Sequence, residues 1–172
     1  MRALVIFICG LIFMYIDFLF SEFSPLFINE LSIYIVPRML FMYILLISIY
    51  VSPQISAFFA VLFGLMIDVY VGLIYGVHTF GIVMFVIFMH TAFRVFYKDF
   101  VAMAFVVLLL TFLYDAYIYL VYTILGLVDM PLFDYFALRS VPSLLINALL
   151  YMVIFIVSLK TSKVRKNILG KY

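Results

Sequence analysis

The chain has 172 residues, of which 70% are hydrophobic and only 10% charged, and its formal net charge is +2. Soluble domains are about half apolar and about a quarter charged, so this sequence has too few polar side chains to cover a soluble globule. The few basic residues lack the density of a nucleic-acid-binding surface, and the apolar segments leave no room for a soluble catalytic domain.

The apolar segments predict an all-α fold, a single transmembrane domain (1–172) built as a bundle of about six helices, because a span needs roughly 20 apolar residues. The first segment is predicted to be a retained helix, since its apolar run continues to Phe20 without a small-residue cleavage site for a signal peptidase. The predicted spans cover residues 3–20, 33–51, 55–71, 77–93, 100–122 and 141–159, followed by a basic tail at 160–172.

Proline and serine residues are predicted to mark the helix boundaries. Pro37 is assigned to the start of the second span, while Ser52 caps the third span and Pro53 occupies its first position. In the same way Ser140 is predicted to cap the sixth span, and Pro142 to start it. The segments at 21–31 and 126–139 are predicted to be loops.

The distribution of basic residues predicts that both termini face the cytoplasm, according to the positive-inside rule. In this orientation eight of the ten basic residues are cytoplasmic, and Arg38 and Arg139 lie at the outer membrane face. These two arginines either extend to the lipid headgroups or pair with an acid. The eight are Arg2, Arg94, Lys98, Lys160, Lys163, Arg165, Lys166 and Lys171.

One face of the third span carries small residues and an acid at helical spacing. An ionisable group inside a bilayer is costly, and small residues let helix backbones approach closely, so Asp68 is predicted to be buried in the bundle. Three interpretations stay open: a polar hub that fixes helix packing or a partner site, an acceptor of hydrogen bonds from helix ends or tyrosines, and a group that carries protons or ions. The face, here called the small-residue stripe, comprises Ala57, Ala60, Gly64, Asp68 and Gly72.

Further polar side chains lie in other spans. Asp115 shares a helix face with Thr111, Tyr119 and Tyr122, which predicts either an internal network with tyrosine donors or a contact surface for another protein. In the sixth span Ser143, Asn147 and Tyr151 are spaced four residues apart, and Asn147 is suited to hydrogen bonds across helices. Asp17 is expected to reach interfacial water and is given no special role.

No pattern in the sequence predicts an enzyme, a cofactor site or a metal site. His78 and His90 lie at opposite ends of the fourth span, roughly 18 Å apart along a helix, so they cannot share a metal ion. Cys9 is assigned to packing. There is no glycine-rich phosphate loop and no nucleophile–base motif.

Several ordered motifs resemble the rod shape-determining protein MreD family, and the resemblance covers essentially the whole chain. They are Val-Pro-Arg at 36–38, Phe-Gly-Leu-Met-Ile-Asp at 63–68, Gly-Leu-Ile-Tyr-Gly-Val-His at 72–78, the acid Asp115, and Leu-Arg-Ser-Val-Pro-Ser-Leu-Leu-Ile-Asn at 138–147. Each motif is weak alone, and their order makes them specific.

The resemblance implies a non-enzymatic subunit of the cell-wall elongation complex in the bacterial cytoplasmic membrane, which regulates cell shape and peptidoglycan synthesis. Its implied partners are the single-span protein MreC, the actin-like MreB, RodA and a class B penicillin-binding protein. We expect the MreC helix to dock on the small-residue stripe beside Asp68. The residues implied to keep the bundle partner-competent are Arg38, Gly64, Asp68, Gly72, Gly76, Asp115, Arg139, Pro142 and Asn147.

The main alternative is the substrate-binding subunit of an energy-coupling-factor vitamin transporter, which is also a small six-helix protein and resembles the MreD family in fold. Its ligand pocket would open to the outer side of the membrane. The predicted outer loops are short, apolar and aromatic, as in Leu-Phe-Asp-Tyr-Phe at 132–136, and offer few groups that recognise a hydrophilic ligand.

Overall fold

The protein is an all-α membrane bundle with one short β-hairpin, described by a computed structural model for residues 2–28, 31–71, 74–92 and 100–161. Among these residues, four helices are long and apolar enough to cross a membrane, and two apolar helices are shorter. The total of six spans and the orientation therefore stay predictions. The elements are α1 (Arg2–Glu22), β1 (Leu26–Ile28), β2 (Leu31–Ile33), α2 (Met39–Tyr50), α3 (Pro53–Val71), α4 (Val77–Ala92), α5 (Phe100–Ile124), α6 (Leu132–Asp134), a π-helical turn (Tyr135–Ser140) and α7 (Val141–Thr161).

Helix α2 is the centre of the bundle and packs against α1, α3, α4, α5 and α7. Every side chain from Met39 to Ser48 is buried, which agrees with its uniformly apolar sequence. Its 12 residues extend only about 18 Å, whereas a bilayer core is about 30 Å thick. Residues outside α2, which are not part of this helix, therefore have to cover the remaining distance.

The predicted helix over 33–51 is wrong at its first residues, because Ile33 ends β2, residues 34–38 lie in neither helix nor strand, and α2 begins only at Met39. Pro37 has no N–H to donate and disfavours a helical conformation for Val36. The segment continues from the hairpin, in which Leu26 pairs with Ile33 in an antiparallel register. The hairpin lies where a loop was predicted at 21–31.

The predicted loop at 126–139 is also wrong in its second half, since helical structure begins at Leu132 and continues through the π-helical turn into α7. Pro142 is therefore not the first residue of the helix. Because Pro142 has no N–H, the carbonyl of Leu138 lacks its usual helical donor. The N–H of Tyr34 donates to that carbonyl at 2.8 Å. The segment before α2 therefore supplies the hydrogen-bond donor that the irregular helix lacks.

The small-residue stripe lies inside the bundle as predicted, where α3 packs closely on α4. Ala60, Gly64 and Asp68 are all buried. A Cβ added to Gly64 would lie 2.6 Å from the Cα of Thr79, so only glycine permits this approach. Gly72, the last member of the stripe, lies outside the described residues, as do Arg94, Lys98 and the tail at 162–172.

Gly64→Val is expected to lower the free energy of unfolding by about 1–3 kcal/mol, because the new side chain would push the α4 backbone away from α3. Equilibrium unfolding in mixed micelles measures the change. Leu65→Val introduces the same residue at the neighbouring position, which is 51% exposed, and should be nearly neutral. Equal stability of Gly64→Val and the wild type would contradict the close approach.

Candidate functional site

The carboxylate of Asp68 accepts hydrogen bonds from the first turn of α4, and we call this set the Asp68 network. The backbone N–H groups of Gly76 and His78 donate at 2.9 Å each, and that of Thr79 at 3.0 Å. The Thr79 hydroxyl donates to the same carboxylate, and the Nδ1 atom of His78 lies 3.1 Å from it. Asp68 is 1% exposed, so these contacts replace the hydrogen bonds that water would donate to an exposed carboxylate.

Asp68 thereby acts as the cap of α4 from a neighbouring helix. The first N–H groups of a helix have no partner within it, and a negative charge near this end is favourable. Gly76, with a φ of 95°, gives the turn a left-handed conformation that aims its N–H at the carboxylate. The structure thus shows Asp68 as an acceptor of hydrogen bonds from a helix end.

A second set of contacts, the Arg38 network, contains the ion pair between Arg38 and Asp115. The Nη2 and Nε atoms of Arg38 lie 2.7 and 3.1 Å from one carboxylate oxygen of Asp115. The two side chains are 16% and 7% exposed. The guanidinium also lies 5.2 Å from the ring centroid of Tyr114. Arg38 thus pairs with an acid and does not extend to the headgroups.

Two side chains of α7 form hydrogen bonds with the irregular segment at 34–38, just before α2. The Ser143 hydroxyl accepts from the N–H of Val36 at 3.0 Å and lies 3.3 Å from the carbonyl of Tyr34. The Asn147 amide accepts from the N–H of Arg38 at 2.9 Å and donates to the carbonyl of Val36 at 3.3 Å. Irregular backbone at membrane depth needs such internal partners, because lipid offers none.

Asp17 has a definite role, which corrects the expectation that it has none. Its two carboxylate oxygens accept the N–H groups of Met39 and Leu40 at 2.9 and 3.0 Å. Asp17 therefore caps α2 from α1, as Asp68 caps α4 from α3. No local sequence signal marks this role, since the acid lies more than twenty residues before the helix that it caps.

The structure gathers most of the predicted residues into these two networks. Tyr119 departs from the prediction, because its hydroxyl donates to the carbonyl of Met130 at 2.7 Å and not to Asp115. Arg139 lies in the π-helical turn, and its buried Nε has no hydrogen-bond partner among the described residues. The Arg38 network holds Arg38, Asp115 and Asn147 with Asp17 and Ser143, and the Asp68 network holds Asp68 and Gly76 beside Gly64.

Both networks consist of contacts that position backbone and join helices. In 2–28, 31–71, 74–92 and 100–161, no three His, Cys, Asp or Glu side chains group closely enough to hold a metal ion. Each buried carboxylate has donors at helix starts or an arginine as its partner. The arrangement is suited to fixing the relative positions of six helices, α1 to α5 and α7.

Comparisons with known proteins give one match. The sequence model of the family described as rod shape-determining protein MreD matches residues 1–162, which include both networks. No curated protein and no solved structure matches the chain.

Proposed function

Because the chain belongs to the MreD family of rod shape-determining membrane proteins, we propose that it is a non-enzymatic, multi-pass subunit of the cell-wall elongation complex in the bacterial cytoplasmic membrane. It serves as a scaffold for MreC and, through MreC, for MreB, RodA and a class B penicillin-binding protein. Both termini face the cytoplasm in this proposal, since that orientation places eight of the ten basic residues there.

The observation that supports this function most directly is where the family motifs lie. Arg38, Asp68, Asp115 and Asn147 form hydrogen bonds to other parts of the same chain. Such side chains make the bundle rigid, while the outer faces of the long helices remain apolar and exposed. A rigid bundle with apolar outer faces is suited to contacting lipid and a single transmembrane helix.

The expected docking of MreC on the small-residue stripe needs revision. Helix α4 covers this stripe within the chain, and a Cβ on Gly64 would already collide with Thr79. The stripe therefore serves internal packing, and the proposal places the MreC helix on the outer surface of the bundle. The shape of that surface depends on Asp68 and Arg38 only indirectly, through the helices that they join.

Co-purification tests the scaffold role. A tagged Asp68→Leu variant, extracted from membranes that also contain MreC, is expected to recover much less MreC per tagged chain than the wild type, because α4 loses its cap. Val69→Leu is the matched control, since Val69 is the adjacent residue and is 68% exposed. Full MreC recovery by Asp68→Leu at equal expression would contradict the proposal.

The vitamin-transporter alternative has less support. The cavity between the end of α1, the start of α2 and the end of α3 has a volume of about 160 Å³, whereas small-molecule pockets measure about 300–1,000 Å³. Tight binding of a vitamin by the purified protein would favour this alternative.

A further inference from the structure

A small cavity with a mainly polar lining lies between α5 and the start of α7. Its volume is about 10 Å³, and roughly 10–15 Å³ of such space holds a single water molecule. Two partly exposed apolar residues, Phe112 and Leu144, belong to the lining. The polar lining residues, each at most 5% exposed, are Thr111, Asp115, Ser140, Ser143 and Asn147.

The carboxylate of Asp115 is only partly used by the Arg38 network. Both hydrogen bonds from Arg38 reach the same oxygen, Oδ1, at 2.7 and 3.1 Å. The other oxygen, Oδ2, accepts no hydrogen bond from a residue in the described ranges. An acceptor that is buried without a donor is unfavourable. Because Asp115 lines the cavity and is 5% exposed, the missing donor has to come from the cavity.

Other lining groups can hold a molecule that supplies this donor. The Thr111 hydroxyl donates to the carbonyl of Val107 at 2.8 Å, and its lone pairs remain as acceptors. The Asn147 amide donates one N–H to the carbonyl of Val36 at 3.3 Å, and its second N–H has no partner in the part of the chain that the structure describes. The lining therefore offers both acceptors and a donor.

The charges around the cavity favour a neutral ligand over a cation. The charge of Asp115 is already balanced by Arg38, whose Nη2 atom lies 2.7 Å from the carboxylate. A cation beside Oδ2 would be repelled by this guanidinium. The other polar groups of the lining are hydroxyls and an amide, which carry no charge. The volume excludes ligands much larger than water.

We propose that one water molecule occupies this cavity as a constant part of the folded protein. It donates to Oδ2 of Asp115 and to the Thr111 hydroxyl, and it accepts the second N–H of Asn147. Three hydrogen bonds are typical of a buried water molecule. The direct bonds of the Arg38 network run from residues 34–38 to α5 and to α7, and the water joins these two helices to each other. This site goes beyond the scaffold function, since it needs no partner protein.

Nuclear Overhauser effects between water and the Asn147 side chain test the proposal. The full chain, isotopically labelled at asparagine and purified in detergent micelles, is expected to show this effect at the Nδ2 protons of Asn147. Thr111→Ile adds a methyl group that fills the cavity, so the effect should disappear. Thr111→Val lacks that methyl group, leaves the bonds to Asp115 and Asn147, and should retain the effect.

Two results of this measurement would overturn the proposal. One is the absence of the effect in the wild type. The other is an equal effect in the wild type and in Thr111→Ile, which would identify exchanging serine hydroxyl protons as its source. Both serine hydroxyls of the lining, on Ser140 and Ser143, remain in this variant.

Thermal unfolding of the same two variants gives an independent readout. A methyl group that fills space without displacing water stabilises a protein, so Thr111→Ile would then melt above Thr111→Val. Displacement of the water instead leaves Oδ2 of Asp115 without a donor. Thr111→Ile is therefore expected to melt about 2–10 °C below Thr111→Val. An equal or higher melting temperature of Thr111→Ile would contradict the proposal.

A salt comparison on the wild type distinguishes water from a metal cation. Sodium chloride and choline chloride at equal concentrations are expected to change the melting temperature equally, because a neutral occupant does not respond to the cation. A saturable rise with sodium chloride alone would identify a sodium ion as the occupant and reject water.

Discussion

Arg38→Met is expected to lower the free energy of unfolding by about 3–5 kcal/mol. The variant leaves the carboxylate of Asp115, which is 7% exposed, without its only described cation. It also removes the contact of the guanidinium with the Tyr114 ring. Equilibrium unfolding of the purified protein in mixed micelles measures the loss.

Two further variants show whether the loss of stability comes from the unpaired carboxylate of Asp115. Arg38→Met combined with Asp115→Leu should recover part of the stability, because replacing both members of a buried pair removes the unpaired carboxylate. Arg139→Met makes the same substitution at an arginine whose Nε has no described partner, and should cost much less. A double variant no more stable than Arg38→Met would show that the ion pair is not the cause.

Asp68→Ala is expected to lower the free energy of unfolding by about 3 kcal/mol or more. Three backbone N–H groups and the Thr79 hydroxyl lose their acceptor, and each buried unsatisfied group costs about 1–3 kcal/mol. The effect should concentrate at the start of α4. Amide hydrogen exchange at Gly76, His78 and Thr79 should therefore accelerate more than exchange elsewhere in the bundle.

Matched substitutions test this explanation. Asp68→Asn keeps one carbonyl acceptor and should lose less stability than Asp68→Ala. Asp134→Ala removes an acid beside the π-helical turn, where it forms no side-chain cap, and should have a small effect. Unchanged exchange at Gly76 and Thr79 in Asp68→Ala would contradict the assignment of Asp68 as the cap of α4.

Both networks address a difficulty specific to membrane proteins. Lipid provides no hydrophobic force between helices, so close packing and hydrogen bonds must specify how the helices assemble. In this protein Asp17 and Asp68 each join the end of one helix to the start of another, and Arg38 joins the central segment to α5. Loss of one of these contacts should change the relative position of two helices. The proposed scaffold role depends on these positions being fixed.

Local apolar runs predicted α3, α4 and α5 well, because each is a continuous segment bounded by turn residues. Pro53 starts α3 as predicted, and Gly76 precedes α4. The burial of Asp68 followed from its small neighbours at helical spacing, since a charged side chain within a membrane span must face the protein interior and not lipid. The partners of Asp68 were left open, because a sequence shows which face is buried but not which backbone lies opposite.

The predictions failed where distant parts of the chain exchange hydrogen bonds. The span at 33–51 was wrong at its first residues and the loop at 126–139 in its second half, and the structure joins these two places by the hydrogen bond from Tyr34 to Leu138. The irregular backbone before α2 receives hydrogen-bond partners from Ser143 and Asn147 of α7. Hydropathy does not detect such hydrogen bonds, because it counts apolar residues and not backbone donors.

Composition and apolar periodicity alone determined that this is a helical membrane protein with a few buried polar side chains, because water cannot solvate such a surface and lipid cannot solvate open backbone. The pairings of those side chains were decided by the tertiary structure. Asp17 could be matched to the start of α2, and Arg38 to Asp115, only once the helices were in place, because electrostatic contacts depend on distance in space and not on separation along the chain.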